Sequence, residues 1–121
     1  MKVTELKIGD WVSIFHKPYQ VEAINCSFIE ATGYGRCWLE DLEPINLTSD
    51  ILIKNGWKLD DTRAYDRFDD GNTTIYEKGP GTFDVWLDNE KNLPRYIHYV
   101  HDFQNVLSIL GYNNLGIKLQ L

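Results

Sequence analysis

The sequence predicts an α+β fold in which short antiparallel strands outnumber helices. Three features carry this expectation. Turns led by Gly or Pro recur at about ten-residue spacing through the N-terminal part. Apolar and polar residues alternate between those turns, and a helical period appears only after Thr48 and again from Tyr99 or Val100. The chain has 121 residues, 43% of them hydrophobic and 25% charged, a composition of globular class. At this size roughly two thirds of the unfolded surface can be buried, so a core forms without disulfides or metals.

The elements follow in order. Leu6 and Ile8 lead into Gly9-Asp10, and Trp11 to Phe15 form a β-rich run ended by His16-Lys17-Pro18. Trp11, first in that run after the turn, is expected to anchor the core. Tyr19, Val21 and Ala23 alternate with Gln20, Glu22 and Ile24, the period of a half-buried strand, so a hairpin is expected. Phe28 to Ala31 gives a third strand, Gly33-Tyr34-Gly35 a turn and Arg36 to Leu39 a fourth, before Glu40 to Ile45 closes the unit. The succession of Ile8-Gly9-Asp10-Trp11-Val12, a Tyr19-x-Val21 strand and Leu42-Glu43-Pro44-Ile45 resembles an SH3-like small β-barrel.

Thr48 can cap a short helix through Ile51, Leu52 and Lys54, with Asp50 at its positive end and Gly56 at its C-terminal cap. Trp57 and Leu59 follow. Tyr65 to Phe68, Thr73 to Tyr76 and Phe83 to Leu87 are three further strands, turned at Asp69-Asp70-Gly71-Asn72 and Gly79-Pro80-Gly81. Alternation over the last of them sets Phe83, Val85 and Leu87 on one face and Asp84, Trp86 and Asp88 on a wet or partner-facing one. Val100, Phe103, Val106, Leu107 and Leu110 share one stripe of an amphipathic C-terminal helix, with His101, Gln104, Asn105 and Ser108 opposite and Gly111 ending it. Leu115, Ile117, Leu119 and Leu121 then alternate as a final strand. The expected division is 1–46, the barrel-like unit, and 47–121, an antiparallel sheet with a short helix and the C-terminal helix, packed together as one compact domain.

Charge narrows the function. The net charge is −6, and residues 1–43 and 44–121 carry −3 each, so neither part offers the Lys and Arg cluster that a phosphate backbone requires. General nucleic-acid binding is not expected. No apolar stretch reaches the roughly 18 residues of a membrane span. Met1 to Glu5 alternates charges where a signal peptide would be apolar, so the expectation is a cytoplasmic chain without membrane association. Cys26 and Cys37 are the only cysteines and are expected to be reduced.

Landmarks along nearly the whole chain resemble a family of short uncharacterised proteins of Bacteroides-type bacteria, their phages and their mobile elements. Its members typically read Leu-Arg-Ile-Gly-Asn-Trp-Val near the start, Pro-Ile-Pro-Leu-Thr before a short helix ending in Gly-Phe, and Ile-Lys-Tyr-Val-His-Gln-Leu-Gln-Asn near the end. The counterparts here are Leu6 to Val12, Pro44 to Thr48 with Gly56-Trp57, and Ile97 to Asn105. Asp10, Asn46, His98 and Asp102 depart from that pattern, replacing Asn, Pro, Lys and Gln. The resemblance transfers no activity. It implies a bacterial cytoplasm and an accessory, phage-related gene.

Catalytic and metal-binding constellations are weak. Asp66, Asp70, Gly71 and Glu77 fall at the first, fifth, sixth and twelfth positions of a calcium loop, but Phe68 takes the third and the flanks read as strands, so a hairpin is expected. Cys26, Cys37, His98 and His101 lack the knuckle spacing of a zinc site. Gly33-Tyr34-Gly35-Arg36 is a turn rather than a phosphate loop, and no serine sits in an elbow motif. No catalytic residue, metal or cofactor is assigned, and an enzyme is the least favoured reading.

The sixteen aromatics are more informative, being more than a core of this size needs. Tyr34, Arg36, Trp86, Arg95, Tyr96, Tyr99, His101, Gln104 and Asn105 are the candidate binding residues, since aromatics beside Arg make good interface anchors. His101, Gln104 and Asn105 are uncharged hydrogen-bonding groups where a merely solvated helix more often carries Lys and Glu, a pattern that fits a partner-facing surface and equally fits hydrogen bonds to the sheet within the same chain. The leading expectation is a non-catalytic binding module for an unknown protein partner or a second copy of the chain. The alternative is a small-molecule or nucleotide-sequestering protein using Tyr34, Arg36 or Arg95.

Overall fold

The computed structural model describes residues 3–62, 66–70, 73–87, 91–92, 96–109 and 119–121. It is an α+β protein, mostly antiparallel sheet with few helices. It divides into two units, residues 1–45 with 99–104, and residues 46–98 with 105–121.

The first unit holds strands β1 (Trp11–Ile14), β2 (Lys17–Ile24), β3 (Phe28–Ala31), β4 (Gly35–Trp38) and β5 (Leu42–Glu43), with a 3-10 turn at Leu39–Asp41. Their order is β4-β3-β2-β1-β5, antiparallel throughout, and a register shift between Val21 and Ala23 helps curl the sheet into a half-barrel. Val12, Ile14, Val21, Ile29, Ala31, Cys37 and Leu42 fill its concave side, with Leu6, and Tyr19 and Leu39 pack against them. Because alternate residues point to opposite faces, burial of Val12 and Ile14 leaves Trp11 only half-buried, so Trp11 is not the core anchor that its position suggested.

Phe15 belongs to a turn rather than to the first strand. Ile14 pairs with Lys17, which leaves a two-residue loop, and in the type I′ form of such a loop both positions take positive φ to match the strand twist. Phe15 and His16 accordingly sit at φ 49° and 66°.

In the second unit, Thr48 accepts a hydrogen bond from the Ile51 amide and starts helix α1 (Ser49–Lys54), and Gly56 follows it at φ 100°. Strands β6 (Lys58–Asp60), β7 (Asp66–Asp69), β8 (Thr73–Gly79), β9 (Thr82–Leu87) and β10 (Lys91–Asn92) then form a meander in sequence order. The segment with calcium-loop spacing is a hairpin in which Asp66 faces Glu77 across β7 and β8. Phe68, Ile75, Phe83 and Val85 are fully buried, with the Phe68 and Phe83 rings 6.3 Å apart. The face of β9 expected to be wet is largely covered: Asp84 is 5% exposed and accepts a hydrogen bond from the half-buried Trp86 indole.

Helix α2 (Val100–Ile109) buries Val100, Phe103 and Leu107 as its stripe predicts. His101, expected on its polar side, is also buried, at 2% exposure. Leu119–Leu121 form no strand; Leu119 is buried, and the Gln120 backbone is held by Asn55 instead of by a sheet neighbour. Leu110, Gly111 and residues 115–118, like Tyr65, Gly71, Asn72 and Asp88, lie outside the described residues. No helix among the described residues is long and apolar enough to cross a membrane.

Candidate functional site

One exposed aromatic feature of the first unit is built by register. The tight turn at Gly33 and Gly35, both at positive φ, pairs Ala31 with Gly35, and counting outward from it sets Glu30 opposite Arg36 and Phe28 opposite Trp38. Ile29, Ala31 and Cys37 point into the core, so alternation turns Phe28, Glu30, Arg36 and Trp38 outward together. The Phe28 and Trp38 rings meet edge to face at 5.5 Å and 80°, and the Arg36 guanidinium lies 4.1 Å from the Phe28 ring centre. Trp38 is 46% exposed. Beside this stack an open hollow of about 210 Å³ is lined by Ala23, Ile24, Asn25, Phe28 and Glu30.

A second aromatic group occupies the turns. Phe15, 72% exposed at its strained hairpin tip, lies 6.5 Å from Tyr34, which in turn lies 5.2 Å from Tyr19. Tyr34 and Arg36 of the sequence-predicted set are therefore both exposed in the first unit, each beside aromatics that sequence reasoning did not single out. Phe15, Phe28 and Trp38 were the missed residues. The signal for the last two was present, because the Gly33-Tyr34-Gly35 turn fixes which residue of the fourth strand meets Phe28.

The remaining candidates are more committed to the fold. In the first unit, Gln104 is half-buried and its amide is occupied: Nε2 donates to the Gly9 carbonyl at 3.0 Å, and Oε1 accepts from the Trp11 amide at 2.7 Å. His101 stacks on Tyr99 with ring centres 5.9 Å apart and planes 7° apart, and its Nε2 lies 3.5 Å from the Asp102 carboxylate. His101 Nδ1 is buried with no hydrogen-bond partner among the described residues. Trp86 and Asn105 are half-buried and Tyr96 is exposed in the second unit, while Arg95 lies outside the described residues.

Chemically, the outward face of β3 and β4 offers a cation, two aromatic rings, one carboxylate and an open hollow of mixed polar and apolar lining, which suits recognition rather than bond-making. The nearest nucleophile, the Cys37 thiol, points inward, and burial together with the Asp41 carboxylate pushes its pKa up, away from the reactive thiolate. Cys26 is exposed, with its sulfur 3.7 Å from the Ser27 hydroxyl. Among the described residues no three His, Cys, Asp or Glu side chains are grouped to hold a metal ion. Compared with protein-family models, with curated proteins and with solved structures, the chain matches none.

Proposed function

We propose that the chain is a non-catalytic accessory binding protein that engages a protein partner through the outward face of β3 and β4. The observation that carries this reading is the exposed stack of Phe28, Arg36 and Trp38. Trp and Arg are the side chains that most often dominate protein interfaces, and a guanidinium already stacked on a ring loses little freedom on docking. The strand order of the first unit, with β5 beside β1 and β4 at the far edge, is consistent with an SH3-like barrel, a scaffold that commonly serves as a platform. That is an analogy of fold and says nothing of the partner. The family resemblance supports a bacterial, phage- or mobile-element-borne accessory role in the cytoplasm.

Nucleotide capture, the alternative, would use the same Trp38 ring and Arg36 donors. Glu30 disfavours it, because its carboxylate lines the hollow and stands opposite Arg36, where a phosphate would have to approach. The overall charge of −6 disfavours general nucleic-acid binding for the same reason.

The test compares two baits, the wild-type chain and a doubly substituted Arg36→Ala, Trp38→Ala chain, against proteins of the producing bacterium. The reading expects a protein that the first retains and the second loses while both remain folded. Identical retained sets, or a nucleotide bound stoichiometrically by the wild-type chain and lost from the variant, overturn it.

A further inference from the structure

The hollow beside Phe28 lies between two cross-strand rows on the outward face of the first sheet. Ala23, Glu30 and Arg36 stand opposite one another across β2, β3 and β4, and Phe28 is flanked in the same way by Trp38 and by Asn25, whose amide donates to the Phe28 carbonyl. Ala23 is the smallest side chain of these rows, so the space beside it stays open. The lining residues, Ala23, Ile24, Asn25, Phe28 and Glu30, all come from β2, β3 and the turn between them. The hollow therefore lies toward β2, away from Arg36 and Trp38 on β4.

Glu30 is the one charged residue in that lining, and its carboxylate has no ion pair or hydrogen bond among the described residues. The base placed to neutralise it is Arg36, directly across the strand pair. The Arg36 guanidinium instead leans over Phe28, 4.1 Å from the ring centre. A ring takes the cation, and the carboxylate keeps its charge. Asn25 is no competitor for it, because its side-chain oxygen turns back to accept the Cys26 amide at 2.7 Å. The surroundings reinforce the sign. From Val21 to Glu43 the chain carries five exposed carboxylates, Glu22, Glu30, Glu40, Asp41 and Glu43, against Arg36 as the only Lys or Arg.

We infer that the hollow receives a lysine side chain from a basic segment of the partner, its stem along Ala23, Ile24 and Phe28 and its ammonium on Glu30. This rests on the reading of the β3 and β4 face as a protein-binding surface and names the chemistry of what binds there. Each part of the hollow matches a part of that side chain. The apolar wall covers the four methylenes, which lysine buries readily while its head stays near water. The single exposed carboxylate suits a point charge with rotatable donors. Arginine fits less well, because its planar fork seeks a bidentate acceptor and an aromatic face, and the one ring lining the hollow already carries Arg36. An acidic or phosphate-bearing group would meet Glu30 with like charge. The surrounding carboxylates also favour approach of a basic partner from a distance, an attraction that salt weakens.

Glu30→Gln keeps the shape of the hollow and removes its charge, and it breaks no side-chain bond among the described residues. The probe is an acetylated and amidated tetralysine peptide, titrated at low salt into the purified chain while the methyl resonances of Ala23 and Ile24 are followed by NMR. Those methyls should shift and saturate with a dissociation constant of about 1 mM or below. Glu30→Gln should weaken the binding by about fivefold, whereas Glu43→Gln, which removes the same charge from the opposite edge strand, should change it by less than about twofold. The same peptide with its side-chain ammonium groups acetylated should leave both methyls unmoved. Methyls that stay still with the charged peptide, an equal loss from the two substitutions, or equal binding of the acetylated peptide overturns the lysine site. The two-bait comparison turns on Arg36, Trp38 and a whole protein, so the titration can fail while the broader reading stands, and identical retained sets defeat that reading whatever the peptide does.

Discussion

Gln104 and Trp11, far apart in sequence, are joined by a side-chain amide that stands in for a strand. The Trp11 amide donates to Gln104 Oε1 at 2.7 Å, while Gln104 Nε2 returns a bond to the Gly9 carbonyl at 3.0 Å. The amide thus satisfies both backbone groups flanking the fully buried Asp10, which is itself held by the Lys7 amide and ammonium. Gln104→Ala removes the bond to the Trp11 amide and one of the two side-chain donors to the Gly9 carbonyl, which keeps Gln20 Nε2 at 3.1 Å, and should lower stability by about 1 kcal/mol in urea unfolding. A variant as stable as the wild type would show that water replaces the amide at no cost.

The hairpin tip stores strain that a better turn sequence would release. Phe15 and His16 both adopt positive φ, where a bulky side chain is disfavoured and an Asn-Gly pair is at ease. Phe15→Asn combined with His16→Gly should raise stability by about 0.5–1 kcal/mol. A loss instead would mean that the contact of Phe15 with Tyr34 outweighs the backbone strain.

Asn55 performs for the C-terminus what Gln104 performs for the Gly9 turn. Its Nδ2 donates to the Gln120 carbonyl at 2.7 Å and its Oδ1 accepts from the Gln120 amide at 2.6 Å. Asn55→Ala should release residues 119–121, read as faster hydrogen exchange at the Gln120 amide and a cost of about 1–2 kcal/mol as Leu119 loses its burial. Unchanged exchange at Gln120 would contradict this.

These clamps mark where the sequence stopped being legible. Strands β2, β3 and β4 could be read almost to the residue, because Val21, Ile29 and Cys37 alternate with polar neighbours between glycine turns, and the Thr48 cap and Gly56 stop could be read from residue type alone. Periodicity reports which side of an element is apolar, but not which distant backbone group a side-chain amide will meet. It therefore left Gln104 and His101 open between a partner-facing surface and hydrogen bonds within the chain, and placed Leu119–Leu121 in a strand, whereas Gln104 meets Gly9 and Trp11, and Asn55 captures Gln120. The Phe28, Arg36 and Trp38 stack escaped notice for a related reason: it depends on pairing between strands rather than on the pattern within either one.

The two cysteines should differ sharply in reactivity. Cys26 is exposed, whereas Cys37 is buried with its pKa raised, first by desolvation and then by the Asp41 carboxylate. Iodoacetamide should modify Cys26 in the native protein and Cys37 only on unfolding. Since the folded pKa lies above the unfolded one, the stability linked to Cys37 is fully present below the ordinary thiol pKa of about 8.5 and is lost as pH rises from there through the raised value. Cys37→Ala should remove that part of the alkaline decline. Equal labelling of both thiols in the native chain would contradict the burial of Cys37.

The claim that the outward face of β3 and β4 engages a protein partner is most directly tested by comparing the wild-type chain with the Arg36→Ala, Trp38→Ala chain as baits. The account predicts a protein that the first retains and the second loses while both remain folded. Identical retained sets would contradict it.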